Sequence, residues 1–310
     1  MKMTSKLIIA ITTAIMILCL SSCVANVTMY DHGNNYTAGD FETKDEITAI
    51  DIDWSSGDVN VSYHDKDTVS VTETCNVELK DSQKVHTWLD GKTLHIRYCK
   101  SGENFNLTNA EKKLQVSLPK TIELDKLNYD GSSANVSFND VTATTIKVDT
   151  SSGTAKLSNC SADTFKFDSS SGDIILDQKG ESESIEADAS SGDITVNAET
   201  VNKLNFDTSS GEIKLNINSS EKISADTSSG KCELHFKKVP SEMKLDSASG
   251  DITIHLPKDA EFSADVDTAS GDFDSEISLI KKNYTYISGS GNNTMDIDTA
   301  SGDIQIKIEE

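Results

Sequence analysis

The chain has 310 residues, and its 28 Lys and Arg are outnumbered by 51 Asp and Glu, for a formal charge of −23. An acid excess of this size keeps a protein soluble and repels polyanions, so nucleic acid and anionic lipid are poor partners; no basic, aromatic-lined stripe argues otherwise. Helical periodicity is absent, and the composition is that of an exported, soluble all-β protein.

Lys2 and Lys6 precede an uncharged apolar run from Leu7 to Leu20. The run is too short to span a bilayer comfortably and ends in small residues, so residues 1–22 read as a cleaved signal peptide. Leu20-Ser21-Ser22-Cys23 looks like a bacterial lipobox, in which the Cys23 thiol takes a diacylglyceryl group and becomes the first residue of the mature chain. Loss of two lysines and no acid leaves the exported form near −25. Each buried lipid methylene contributes about 0.8 kcal/mol, so several acyl chains, palmitate among them, hold the protein on the membrane without spanning it. The expected address is the extracytoplasmic face of the cell membrane or the cell surface. Residues 23–45 are polar and turn-rich, which predicts the lipidated cysteine followed by a flexible spacer.

The folded body is expected over 46–310. Its first recognisable turn is Ile52-Asp53-Trp54-Ser55-Ser56-Gly57-Asp58-Val59, followed by predicted strands at Val69–Thr74, Thr93–Tyr98, Leu114–Leu118 and Ile122–Leu127. A second copy, Tyr129-Asp130-Gly131-Ser132-Ser133-Ala134-Asn135-Val136, carries Ala134 where glycine is expected. Seven copies then follow with glycines at 153, 172, 192, 211, 230, 250 and 271, separated by 19, 20, 19, 19, 20 and 21 residues. Apolar residues alternate on both sides of each turn, as in Leu204-Phe206 and Ile213-Leu215, so one repeat is strand, turn, strand, turn. Such a unit cannot bury its apolar face alone, but coils stacked at about 4.8 Å share a narrow core. The fold class is therefore all-β, a single-stranded β-helix or solenoid of 19–21-residue coils, irregular over 46–128 and regular over 129–310. A shortened copy at Ile287–Gly291 and a last one at Ile297–Ile304 close the chain, where Lys307, Glu309 and Glu310 would charge the open edge.

The fixed glycine implies either positive φ or close backbone approach, and the preceding Asp suits an Asx-type turn. With coils in register, Asp149, Asp168, Asp188, Asp207, Asp226, Asp246 and Asp267 form one line, and Asp173, Asp193, Glu212, Asp251 and Asp272 a second. Such oxygen rows could take Ca²⁺, with Asp168, Asp188, Asp207, Asp226 and Asp246 as the candidate ligands; the alternative is that each carboxylate caps its own turn. No other metal or cofactor is expected. Cys75 and Cys99 each close a predicted strand and could be bridged in an oxidising envelope, whereas Cys160 and Cys232 sit several repeats apart and read as buried thiols. The six histidines, at 32, 64, 86, 95, 235 and 255, are scattered in sequence.

The Ile50–Val59 segment, Lys113–Pro119, the serial Asp-Thr-Ser-Ser-Gly-Asp turns and the closing Asp298-Thr299-Ala300-Ser301-Gly302-Asp303-Ile304 together resemble the bacterial putative-adhesin family, a domain of unknown function with a twenty-residue repeat. The resemblance implies a β-helix on an envelope-exposed protein and supplies no catalytic residues. Coils of near-uniform length also leave no long loops from which to build an active-site groove. The expectation is a non-catalytic, adhesin-like module for a surface glycan or protein, with an accessory role in envelope-stress sensing as the alternative.

Overall fold

The computed structural model describes residues 29–103 and 110–309; the expected signal peptide and the expected lipidation site at Cys23 lie outside the described residues. The body is an all-β solenoid. Long strands such as Ile194–Thr208 and Ile213–Thr227 run from one Ser-Ser-Gly turn to the next, and each pairs in parallel and in register with the coil on either side.

In-register stacking turns each position of the repeat into a file along the solenoid axis. One core file runs Val148, Phe167, Ala187, Phe206, Ala225, Leu245. Its Phe–Ala alternation lets rings fill the space above and below an alanine without forcing adjacent coils apart. A facing file runs Leu157, Leu176, Val196, Leu215, Leu234, Ile254, all fully buried. Cys160 and Cys232 are buried thiols, as their separation implied, and burial pushes both up to about 12.

The spatial order of the coils departs from chain order at both ends. The Asn293–Thr299 strand lies between Glu242–Ser247 and Phe262–Thr268, so the last coil in sequence is inserted before the Gly271 coil. Likewise Ala49–Trp54 lies between Leu124–Gly131 and Thr93–Arg97. The Ile304–Ile308 strand, expected to be a charged open edge, is thus flanked by Ile252–Leu256 and Phe273–Ser275. The segment expected as a shortened repeat is instead an antiparallel hairpin of Ile280–Lys282 and Thr285–Ser288 laid against Phe262–Asp265. Antiparallel strands cover the other end too: Val69–Cys75 pairs with Lys112–Pro119, and His86–Asp90 with Thr93–Arg97. Both ends so break the parallel ladder that would otherwise template another chain.

Two further expectations are corrected here. The spacer does not extend to residue 45: Thr37–Ala38 pairs with His86–Thr87, Phe41–Thr43 pairs with Val69–Val71, and the Tyr30 amide donates to Ser101 Oγ. These residues complete hairpin edges that would otherwise leave backbone groups unpaired. Cys75 and Cys99 are free thiols, because their strands are not neighbours; Val69–Cys75 pairs with Phe41–Thr43 and Lys112–Pro119, and Thr93–Arg97 with Ala49–Asp53 and His86–Asp90. Beneath them Lys112 is fully buried, 2.6 Å from Glu73 and 4.0 Å above the Tyr98 ring.

The repeat glycines serve close approach rather than positive φ. A Cβ on Gly211 would lie 1.9 Å from the Gly192 carbonyl oxygen, and the same contact recurs up the stack; Gly57 alone among the turn glycines has φ of 94°. Ala134 is tolerated because the coil on the side its Cβ faces ends in that differently shaped Gly57 turn. Gly211→Ala should therefore lower stability by about 3 kcal/mol in urea denaturation, through overpacking that the stacked coils cannot relieve. Gly180→Ala, where φ is 81° but nothing lies within 4 Å, should cost only about 1–2 kcal/mol.

Candidate functional site

Strand alternation points the Asp of each repeat to solvent and the next residue inward. That next residue, not the Asp, caps the turn: Gly153 N–H donates to Thr150 Oγ1 at 3.2 Å, Gly211 to Thr208 at 3.1 Å, Gly230 to Thr227 at 2.9 Å and Gly250 to Ser247 at 2.8 Å. The expected Asx cap is thus replaced by a buried hydroxyl. The second acidic row does bond to backbone, but across coils: Asp193 N–H donates to Asp173 Oδ1, Glu212 N–H to Asp193 Oδ1 and Asp272 N–H to Asp303 Oδ1.

The first row is longer than sequence order implied. Register runs Asp53, Asp130, Asp149, Asp168, Asp188, Asp207, Asp226, Asp246, Asp298, Asp267, with Asp298 inserted before Asp267. It extends for roughly 43 Å at one carboxylate per coil. Among the described residues Asp168, Asp188, Asp207 and Asp226 accept no hydrogen bond and form no ion pair, while Lys244 reaches Asp246 at 2.8 Å. At two points of the row burial and like charge act together: partial burial and the neighbouring Asp188 and Asp226 raise the Asp207 carboxyl, and burial with Asp296, Asp246 and Asp267 raises Asp298. The five calcium candidates do share one face, but the file brings a cation only the carboxylates of adjacent coils, against the roughly six to eight oxygens Ca²⁺ takes.

One end of the row stops at a cation. Arg97 is the register partner of Asp53, and its Nη2 lies 2.6 Å from Asp51 Oδ2, where His95 Nδ1 also approaches at 3.0 Å. Burial pushes the Asp51 carboxyl up, but Arg97 and His95 together outweigh it and hold Asp51 below the usual range. Arg97 lies over the rings of Tyr30 and Tyr36, at 5.4 and 5.6 Å. Trp88 stacks on His95 at 5.2 Å and meets Tyr36 edge-on at 5.6 Å. These side chains with His32, Asp53 and Asp90 line an open cleft of about 370 Å³. Tyr30 Oη and Arg97 Nε are buried there with no partner among the described residues. Sequence reading missed the cleft because its aromatics come from three separated segments, one of them assigned to the spacer.

The histidines are not all scattered in space. His235 and His255 occupy the same position of adjacent coils, and their rings stack at 4.0 Å and 10°. Their separation of one repeat length, each five residues past a turn glycine, was the available signal.

A stacked-coil solenoid with a continuous acidic file and an aromatic cleft at its N-terminal end defines a non-globular, repeat-built β-protein of the toast-rack kind. The chain belongs to the Toastrack DUF4097 family, whose model matches residues 47–307. It is similar to the crystal structure of a putative lipid binding protein from Parabacteroides distasonis ATCC 8503, at 20% identity and a TM-score of 0.52, over 87% of this chain and 97% of that one. At that identity the likeness is one of fold. Matches at TM-scores of 0.22 and 0.35 are to a putative cell adhesion protein from Clostridium sporogenes ATCC 15579 (13% identity, 88% and 100% covered) and a putative adhesin from Bacteroides fragilis NCTC 9343 (11% identity, 87% and 96% covered). No curated protein matches the chain. Among the described residues no helix is long and apolar enough to cross a membrane.

Asp53 offers a direct test of the row's electrostatics. Burial, aided by Asp130 and Asp51 and opposed by Arg97, raises its carboxyl to about 6. The folded state therefore holds this proton more tightly than the unfolded chain. Its contribution is present in full below the unfolded pKa and is lost as pH rises through about 6. Asp53→Asn should be more stable than the parent at pH 7.5 by about 1–3 kcal/mol, and thermal melts should show the gain shrinking between about pH 6 and 4.

Proposed function

We propose that this protein is a cell-envelope lipoprotein, anchored through Cys23, whose solenoid is a non-catalytic, adhesin-like interaction module for a surface glycan or protein. The observation that carries the reading is the cleft at the N-terminal end of the coil stack. Trp88, Tyr36 and His95 offer flat apolar faces, Asp53 and Asp90 offer acceptors, and Tyr30 Oη and Arg97 Nε remain unpartnered. Ring faces flanked by carboxylates are the chemistry that packs on sugar C–H surfaces and accepts from hydroxyls, and equally that of a protein-binding hot spot. The rigid stack holds this cleft in one shape, so little ordering cost is left for binding. Membership of the Toastrack DUF4097 family supports a repeat scaffold of this kind.

The position of the cleft favours a second reading. Met29 lines it, six residues from Cys23, so the chain between them reaches about 20 Å at most. A lipid-anchored Cys23 would keep the cleft near the bilayer, within reach of a membrane partner in the same cell, as an envelope-stress accessory requires.

Replacing Cys23 by Ser should release the protein from the membrane fraction into the soluble extracytoplasmic fraction, read by immunoblot, with loss of the acyl mass at the mature N-terminus. A photo-crosslinking residue at exposed His32, with a control at Lys244 on the opposite reach of the stack, should capture a ligand from intact cells. Wall or surface glycan, or a foreign surface protein, upholds the adhesin reading, and one membrane protein of the same cell upholds the accessory reading. Trp88→Ala should reduce capture at least tenfold; undiminished capture by this variant would sink both.

A further inference from the structure

We propose that Glu233, His235 and His255 form a binding site for a divalent transition-metal ion of the zinc class. Each offers one donor atom, and the three atoms lie within 4.8 Å of one another on the outer face of two adjacent coils. The set is two imidazole nitrogens and one carboxylate oxygen, which suits Zn²⁺ and leaves a fourth position open. Bonds of about 2.0–2.1 Å place tetrahedral ligands some 3.4 Å apart, so small rotations of half-buried side chains close the site.

The surroundings of His235 carry the argument further. Both of its ring nitrogens face carboxylates: Nδ1 lies 2.8 Å from Glu309 Oε2, and Nε2 lies 3.2 Å from Glu233 Oε1. A neutral imidazole has one N–H, so it can donate to only one of them, leaving a lone pair set against a carboxylate oxygen on the other side. If Nδ1–H donates to Glu309, Nε2 presents its lone pair beside Glu233, and a cation between the two removes the conflict. Glu309 then plays the part of the carboxylate that orients a metal-ligating histidine and fixes its tautomer.

The repeat supplies the remaining conditions. In-register pairing holds His235 and His255 at the same height on neighbouring coils without any loop to order, so little conformational entropy is lost on binding. The same file continues from the pair as Asn216, Asn197 and Asp177, in which Asn216 Nδ2 donates to Asn197 Oδ1 at 2.7 Å and Asn197 Nδ2 to Asp177 Oδ1 at 2.6 Å. That amide ladder ends at His235 and lines, with Glu309, a groove of about 270 Å³ through which an ion can enter. The chain's acid excess raises the local concentration of cations.

The test uses the untagged mature chain, titrated calorimetrically with ZnCl₂ and, in parallel, with CoCl₂ followed by visible absorption. We expect saturable uptake of one ion per chain and cobalt bands of tetrahedral intensity. His235→Asn, His255→Asn and Glu233→Gln should each weaken binding about 100-fold, and Glu309→Gln about 10–100-fold. Circular dichroism of each variant confirms that the solenoid is intact, as expected for substitutions on its outer face. No saturable uptake overturns the proposal. So does zinc binding that the three ligand variants leave unchanged, or competition by CaCl₂ at equal concentration, which would assign the ion to the acidic rows.

Discussion

The structure depends on one interaction, the parallel hydrogen-bond ladder that holds every coil in register with the next. Once register is set, a single residue choice in the repeat is copied up the stack at a spacing of about 4.8 Å, and its energetic sign is copied with it. Apolar positions become continuous core files, and hydroxyls after the Asp become a file of turn caps. Glycines become a file of backbone-to-backbone contacts too tight for a Cβ. Register also copies an unfavourable choice: the outward Asp row sets like charges side by side, and at Asp207 and Asp298 partial burial together with those neighbours raises the carboxyls.

That cost is tolerable because the two acidic rows are treated differently. The row after the turn is tied to backbone amides of neighbouring coils, as in the Asp173 to Asp193 to Glu212 chain. The row before the turn remains in solvent and meets a guanidinium at its N-terminal end. Arg97 is held there by Asp51 and by the faces of Tyr30 and Tyr36, in the segment that precedes the first coil. The cleft exists because the solenoid must end, and the residues that end it are aromatic.

The inverted order of the terminal coils follows from the same need. A coil in mid-stack has partners on both sides, whereas a terminal coil exposes a ladder of unpaired amides. At each end the extreme coil in space is therefore one that carries antiparallel cover, the Thr285–Ser288 hairpin at one end and the Val69–Cys75 and His86–Asp90 strands at the other. The plain coils at the chain's beginning and end are inserted behind them. This arrangement also hides the buried Lys112–Glu73 pair beneath Trp54 and Tyr98, where removing either partner would strand a charge.

The sequence by itself determined the all-β class, the coil length and the register of the repeats, because period-two alternation and a glycine every 19–21 residues are local signals that any in-register stack must obey. It also placed Asp168 through Asp246 on one face and Cys160 and Cys232 in the core. The order of the terminal coils was not legible, since the Gly250, Gly271 and Gly302 turns read alike and only pairing energies decide which sits beside which. Nor was the role of Asp against the following Thr, because that depends on which side chain faces inward at the bend. The cleft of Tyr30, Tyr36, Trp88 and Arg97 was decided by tertiary structure alone, whereas the meeting of His235 with His255 left a signal in their separation of one repeat length. Both join residues through space rather than along the chain, and contact of that kind leaves a trace in sequence only where its separation equals the repeat.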